Sequence, residues 1–191
     1  KSIQAILAVL FGISIYIAGA FRGVARSQLG RGAPHDSGAA RPISSWKYGF
    51  ATVFTLFHDV AVPIGLFSIL GKFAGVEIDS NFIVALLVVM GFSVHDTIVV
   101  FDRIRENLRK HASEPFDNVV NLSVNETFGR SINTSLTTLL ALAALLLLGS
   151  SNLQPFVLAM MVGIFVGTYS SIFIASPILV DWYNWGKKRL K

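Results

Sequence analysis

The chain alternates between long apolar stretches and short polar segments. An α-helix rises about 1.5 Å per residue, so about 20 apolar residues cross the hydrocarbon core of a bilayer. The last stretch is long enough to tilt in the membrane or to bend at Pro177. Five stretches meet the length requirement: Ile3–Phe21, Phe50–Gly71, Asn81–Phe101, Ile132–Gly149 and Leu153–Val180. The pattern therefore predicts an all-α fold, a polytopic membrane bundle of five transmembrane helices.

The segment between the third and fourth stretches has an amphipathic helical pattern of its own. It follows Ser113, a residue type that caps helix N-termini, and it has the acidic residues Glu114 and Asp117 in its first turn. The apolar residues at helical spacing are Phe116, Val119, Val120, Val124 and Phe128. We therefore expect a short amphipathic helix that lies along the cytoplasmic interface and leads into the fourth span.

Basic residues are concentrated in alternate polar segments. The segment after the first span, the segment after the third span and the C-terminal tail are rich in Lys and Arg. The second polar segment has only Lys72, and the segment 150–152 has no charge. The positive-inside rule places the basic segments and the C-terminus in the cytoplasm. This predicts a multi-pass membrane protein whose C-terminus lies in the cytoplasm.

The same patterns divide the chain into six units. Residues 23–48 are rich in Gly, Ala, Ser and Arg, which is typical of a flexible connector. The units are transmembrane helix 1–22, flexible cytoplasmic loop 23–48, two transmembrane helices in 49–102, cytoplasmic loop 103–129 with the amphipathic helix, two transmembrane helices in 130–182, and basic tail 183–191. Because the first apolar run is too long for a signal peptide, we expect the chain to be part of a larger membrane protein.

Composition agrees with a membrane protein and excludes several kinds of site. Hydrophobic residues make up 53% of the chain and charged residues 14%, against about 25% charged in soluble domains. The chain has no cysteine and only 4 scattered histidines, so we expect no disulfide, no metal site and no cofactor. The sequence pI near 9.7 reflects orientation in the bilayer, and we expect no nucleic-acid partner.

Two charges, Asp96 and Arg130, are the residues predicted to carry the function. A charge at helix centre costs about 2.5–3.5 kcal/mol on insertion scales, so an intramembrane charge marks a candidate site. Asp96 lies roughly 7–8 Å inside the cytoplasmic boundary, and Arg130 opens the next antiparallel span at similar depth. Asp96 is interpreted as a titrating carboxylate in a polar pocket, with a carboxylate bonded only for packing as the alternative.

Polar residues around these two charges are expected to support them. His95 and Thr97 flank Asp96, and a polar stripe of Asn133 or Thr134 and then Thr137 or Thr138 follows Arg130 at helical spacing. Such a stripe is expected to face protein or water and not lipid.

Other polar and small residues have less specific interpretations. Asp59, preceded by His58, lies near mid-membrane and is either a second proton relay point or a structural partner. Boundary charges at the end of the third span are interpreted as solvated anchors: Asp102, Arg103, Arg105 and Glu106. Small residues four apart in the fifth span predict close helix packing: Gly163, Gly167 and Ser171.

Two long motifs resemble the SecF family of protein-export membrane subunits. The segment 91–107, Gly-Phe-Ser-Val-His-Asp-Thr-Ile-Val-Val-Phe-Asp-Arg-Ile-Arg-Glu-Asn, is similar to the fourth membrane helix of that family and the following loop. The segment 125–135, Asn-Glu-Thr-Phe-Gly-Arg-Ser-Ile-Asn-Thr-Ser, resembles the start of its fifth helix, and His58-Asp59 resembles its third. The likeness runs from about Trp46 to Asp181, with His95 where Asn is common.

The resemblance implies that the chain holds membrane helices two to six of a six-helix protein with a periplasmic domain after its first helix. It implies a non-enzymatic accessory subunit of the Sec translocon, related to the RND transporters, with SecD, SecYEG, the exported preprotein and the lipid bilayer as partners. Protons would be the coupling ion, because Asp96 and Arg130 match the proton-pathway residues of the family.

Three alternatives remain beside this interpretation. One is an RND-type small-molecule or lipid exporter, which would need a large apolar cavity. Another is a non-conducting scaffold subunit. The third is an intramembrane aspartyl protease that uses Asp59 and Asp96, whose two carboxylates would have to share a proton at about 3 Å.

The predicted orientation can be tested by cysteine labelling, since the chain has no native cysteine. A cysteine placed in segment 23–45 or 103–113 should react with a membrane-impermeant reagent only from the cytoplasmic side, and Asn152→Cys only from the outside. Labelling with the opposite sidedness would contradict the topology.

Overall fold

A computed structural model describes residues 45–188 apart from residue 112, together with scattered positions before residue 17. Most of the first predicted span, Ile3–Phe21, and nearly all of the predicted loop 23–48 therefore lie outside the described residues. The described part contains helices and turns and no β-strand, which confirms the predicted all-α fold.

Five α-helices and two short helical turns follow one another along the described chain. They are α1 (Ser45–Ala74), α2 (Ser80–Lys110), α3 (Phe116–Leu148), a 3-10 turn (Ser151–Leu153), α4 (Gln154–Ser170), a π-helical turn (Ser171–Ala175) and α5 (Ser176–Lys188). Four helical segments in the described part are long and apolar enough to cross a membrane: Lys47–Ala74, Ser80–Lys110, Phe116–Leu148 and Ser151–Gly186. They correspond to the second to fifth predicted spans.

The prediction of a separate amphipathic helix before the fourth span is wrong. Helix α3 runs without a break from Phe116 to Leu148, so the predicted interfacial helix is its first half. Its apolar face is buried against the end of α2 and not against lipid, since Phe116 and Val119 belong to the same core cluster as Ile104. The residue at the N-cap position of α3 is Pro115 and not the predicted Ser113.

The short connections are set by local backbone chemistry. Pro115 is extended, with φ −58° and ψ 142°, and its carbonyl accepts the amides of Asn118 and Val119, so α3 begins directly after it. At the other end of the bundle, Gly75 turns the chain with φ +67°. Asp79 then caps α2 by accepting the amides of Asn81 and Phe82.

Helices α2 and α4 form the centre of the bundle. Each of them packs against both α1 and α3, which lie on opposite sides of this central pair. Gly163 faces Val89, and a Cβ atom at Gly163 would overlap the Val89 side chain. A Cβ atom at Gly167 would come within 3.0 Å of the Ser93 Cβ. The absence of side chains at these glycines lets the two backbones approach closely.

The long final segment changes its helical form just before Pro177. The residues Ser171–Ala175 form a π-helical turn, and Pro177 lies in the first turn of α5. Proline has no amide hydrogen and its ring crowds the carbonyl four residues earlier, which a wider turn relieves. Pro177 was predicted to bend this span, and the irregularity lies immediately N-terminal to it.

The α2–α4 contact generates a prediction about stability. Gly163→Ala should lower the stability of the protein by about 1–3 kcal/mol, because the added methyl group overlaps Val89. Adding Val89→Ala to the same chain should recover part of the loss by making room. Thermal unfolding of the purified protein in detergent measures both effects.

Gly129→Ala in α3 is the matched control, since no atom outside its own helix lies within 4 Å of a Cβ there. Alanine favours a helix over glycine, so this variant should be neutral or slightly stabilising. Equal destabilisation by Gly163→Ala and Gly129→Ala would refute the importance of the close contact.

Candidate functional site

Where the helices meet inside the bundle, they bury a group of polar side chains that we name the polar layer. Every member is at most 8% exposed. Helix α2 contributes three members at i, i+3 and i+4 positions, which share one face of a helix. The members are Asp59, Ser93, Asp96, Thr97, Ser131, Ser135, Thr168, Ser170 and Ser171.

Asp59 of α1 has more hydrogen-bond neighbours than Asp96, the other buried acid. It is 0% exposed, and its Oδ2 accepts hydrogen bonds from the Ser93 hydroxyl of α2 and, at 2.7 Å, the Ser170 hydroxyl of α4. Its Oδ1 lies 3.0 Å from Nδ1 of His58. A carboxylate only accepts hydrogen bonds, so three surrounding donors satisfy it well. Asp59 thereby joins three helices at one point.

Asp96 of α2 is buried, and only one of its two carboxylate oxygens accepts a hydrogen bond. Its Oδ1 accepts a 2.6 Å hydrogen bond from the Ser131 hydroxyl of α3, while its buried Oδ2 makes no hydrogen bond of normal geometry in the described part of the chain. The Ser171 hydroxyl lies near enough to act on this carboxylate. The neighbouring residue Thr97 shares a 3.1 Å hydrogen bond with Ser171. A buried carboxylate oxygen that lacks a donor is costly, which singles out Asp96 as the exceptional group of the layer.

Arg130 is placed near Asp96 but does not form an ion pair with it. The two residues lie on the packed helices α2 and α3, and the Arg130 charge is close enough to act on the Asp96 carboxylate through space. Arg130 itself is exposed, and among the described residues it takes part in no ion pair. The adjacent residue, Ser131, faces the acid instead. The role of Arg130 stays a prediction.

Helix α3 has two polar stripes, and the buried one is not the stripe singled out by the sequence. Asn133, Thr134 and Thr137 are exposed on the described chain, and the two threonines bond to carbonyls of their own helix. The buried stripe consists of hydroxyl residues four apart: Ser123, Thr127, Ser131 and Ser135. The sequence analysis missed this buried stripe, although its regular spacing of four residues could have indicated it. For Ser93 and Ser170, which were also missed, the sequence offers no signal beyond their polarity.

The boundary charges contribute to an interhelical cluster at the end of the bundle where α2 terminates. Arg103 bonds to Glu106 of its own helix at 2.6 Å and to Glu126 of α3 at 2.7 Å. The buried amide of Asn107 donates to both Ser123 and Glu126. Such exposed pairs contribute little stability individually. Asp102 and Arg105 form a further pair on α2, at 3.7 Å.

The remaining predicted site residues are distributed as follows. His95 is exposed, whereas Thr97 belongs to the polar layer. Within the described residues no three acidic, histidine or cysteine side chains lie close enough together to hold a metal ion. Asp59 and Asp96 bond to different serines, which argues against a protease-type pair sharing one proton.

Comparison with protein families gives a specific match. The model of the family described as "Protein export membrane protein SecD/SecF, C-terminal" matches residues 43–185 of this chain. This range contains the whole polar layer and the four described spans, except for Gly186 at the end of the last span.

Individual relatives agree with the family match. The protein translocase subunit SecF of Thermobaculum terrenum is 47% identical over 96% of this chain and 52% of its own length. The SecF of Anaerolinea thermophila is 40% identical over 100% of this chain and 58% of its length. The protein translocase subunit SecDF of Thermus thermophilus is 48% identical over 73% of this chain and 18% of its length. The chain thus spans about half the length of its SecF relatives.

A solved structure has the same fold. The crystal structure of SecDF in a super-membrane-facing form superposes with a TM-score of 0.80 at 40% identity, covering 98% of this chain and 22% of the SecDF chain. The relatives are named as translocase subunits, which are transport components.

Proposed function

Because this chain belongs to the SecD/SecF C-terminal family of protein-export membrane proteins, we propose that it is part of an accessory subunit of the Sec translocase. The subunit uses the proton-motive force to promote preprotein export across the cytoplasmic membrane. Its C-terminus faces the cytoplasm, as the basic segments indicate.

The observation that carries this proposal is the half-satisfied carboxylate of Asp96. An acid buried inside a membrane span is costly unless it has a function, and one of its two oxygens lacks a donor. A proton arriving at Oδ2 would neutralise the charge and convert that oxygen into a hydroxyl donor. Asp96 is thus suited to accept a proton from outside and later release it to the cytoplasm.

Protonation of Asp96 would change the contact between α2 and α3. The Ser131 hydroxyl donates to an ionised carboxylate, and such charge-assisted bonds are about twice as strong as neutral ones. When Asp96 is neutral, this bond weakens and the attraction of the Arg130 charge is lost. Two packings of α3 against α2 can then exchange, driven by about 2.3 kcal/mol for each proton that falls through 100 mV.

The exposed polar stripe of α3 supports SecD as the partner. Arg130, Asn133 and Thr137 lie on a membrane-spanning helix but are not covered by the described chain. Polar groups at membrane depth face protein or a water-filled cavity and not lipid. We therefore place a helix of SecD on this face, with SecYEG and the exported preprotein as further partners of the assembled complex. Relatives named SecDF agree with this pairing.

Neither a small-molecule exporter nor a scaffold is favoured over this proposal. The apolar groove between α3 and α4 has a volume of about 270 Å³ and is lined mainly by aromatic and aliphatic residues. Ligand pockets are usually about 300–1,000 Å³, so the groove is small for a transported compound. A scaffold subunit would gain nothing from an acid buried with an unsatisfied oxygen.

Replacing Asp96 tests the coupling role directly. Asp96→Asn keeps the size of the side chain and can still accept from Ser131, but it cannot carry the switching charge. The protein should insert and assemble normally, since removing a buried charge relieves a desolvation cost. Export measured with and without an imposed proton gradient should lose its gradient-dependent part.

Asp102→Asn is the matched control, because the same substitution is made on the same helix at an exposed side chain. It should leave export unchanged. Arg130→Lys should be partly impaired, since lysine keeps the charge but loses the planar guanidinium. Normal gradient-driven export by Asp96→Asn would show that Asp96 is a structural carboxylate.

The partner face can be mapped by crosslinking in the membrane. Cysteines at Asn133 and Thr137 of α3 should crosslink to SecD, because their side chains point away from the described bundle at membrane depth. Phe57→Cys in α1 is the comparison site: Phe57 is 70% exposed but apolar, and lies on the opposite side of the α2–α4 pair. If Phe57→Cys crosslinks to SecD and the α3 cysteines do not, the interface with SecD lies on α1 and not on α3.

A further inference from the structure

We infer that Asp59 is a positioning residue, which orders the hydroxyl groups beside Asp96 without itself carrying a proton; this inference rests on the proposed function of Asp96. The connection that we infer between the two acids passes through one segment, where α4 passes into the π-helical turn. Ser170 bonds to Asp59, and the next residue, Ser171, bonds to Thr97, the neighbour of Asp96.

Asp59 and Ser170 form the first step of this connection. The Ser170 hydroxyl has a single hydrogen but two acceptors in reach, Asp59 Oδ2 at 2.7 Å and the Gly167 carbonyl oxygen at 3.0 Å. The carboxylate is the stronger acceptor and the closer one. Asp59 therefore draws the Ser170 hydroxyl away from its own helix.

The Gly167 carbonyl is the second step. Besides Ser170, it is approached by the Ser171 hydroxyl at 2.8 Å and by the Ser171 backbone amide. A carbonyl oxygen has two lone pairs, so three donors cannot all bond to it well. By holding Ser170, Asp59 leaves this carbonyl to Ser171. Without Asp59, the Ser170 hydroxyl would turn to Gly167 and compete with Ser171.

Ser171 completes the connection to the proton-accepting acid. Its oxygen lies 3.1 Å from the hydroxyl oxygen of Thr97, the residue that follows Asp96 on α2. A π-helical turn is wider than an α-helix and often marks a functional site. Displacing Ser171 would therefore alter the hydroxyl groups available to the unpartnered oxygen of Asp96.

The surroundings of Asp59 favour positioning over proton transfer. Its three hydrogen-bond neighbours, Ser93, Ser170 and His58, already occupy both oxygens, so no oxygen is left open as in Asp96. A positioning role needs only an acceptor at the Oδ2 position, which an amide also provides. The amide nitrogen of asparagine can face His58 Nδ1 in the tautomer that accepts a hydrogen bond.

Two substitutions of Asp59 separate these roles. Asp59→Asn keeps the acceptor and removes the charge, whereas Asp59→Leu has similar size but removes both. In membrane vesicles with the complete translocase, Asp59→Asn should retain most of the gradient-dependent export. Asp59→Leu should lose about tenfold, the factor for one charge-assisted hydrogen bond. Export without a gradient should stay unchanged in both.

Ser170→Ala keeps the conclusion testable should Asp59→Leu fail to assemble. It removes one hydroxyl group, and gradient-dependent export should fall in the same way. Ser68→Ala is the matched control at an exposed position of α1 and should behave like the parent protein. Amounts of each variant in the membrane and its recovery with SecD exclude a loss of folding.

The inference is overturned if Asp59→Asn, normally assembled, is as defective as Asp96→Asn, since Asp59 would then carry a proton. It is equally overturned if Ser170→Ala retains full gradient-dependent export. Either result leaves the proposed function intact as long as Asp96→Asn abolishes the gradient-dependent part. A normal Asp96→Asn variant would instead remove the proposed function and the inference together.

Discussion

The absence of water in the bilayer interior is the constraint on which the described structure depends. Each polar group at membrane depth needs a partner within the protein, so the chain satisfies its backbone with long helices and its threonines with carbonyls of the preceding turn. Asp59 fits the same requirement, with donors from its own helix and two others. Against this background Oδ2 of Asp96 stands out, because it is the buried carboxylate oxygen without a hydrogen-bond partner among the described residues.

Close packing of α2 and α4 makes the buried polar contacts possible. Gly163 and Gly167 allow the two backbones to approach until the Ser93 and Ser170 hydroxyls reach the same carboxylate oxygen. Apolar clusters on both sides of the polar layer then exclude lipid from it. Packing and polarity are thus coupled: a larger residue at either glycine would separate the helices and also pull the donors away from Asp59.

The two faces of α3 differ in what they contact in the described structure. One face inserts Ser131 and Ser135 between α2 and α4, where they bond to Asp96 and Thr168. The other face carries Arg130 and Asn133 on the outside of the described bundle. A single helix therefore contacts the acid with one side and offers a cation with the other. In the proposed complex, a SecD helix binds that outer face. A movement of α3 on protonation of Asp96 would then change the contacts between α3 and the SecD helix.

The sequence by itself determined the membrane class, the helical fold, the approximate position of each described span and the placement of Asp96 inside one of them, because hydrophobic length and a charge inside an apolar run are local properties. It did not determine that α3 is continuous from Phe116, since an amphipathic segment has the same pattern against lipid or against the end of α2. Only the tertiary structure decided which stripe of α3 faces inward, because rotation of a helix about its axis is set by packing. Only the tertiary structure also decided that Asp59 bonds to Ser93 and Ser170. These serines lie 34 and 111 positions away in the chain, so no local spacing indicates the contact.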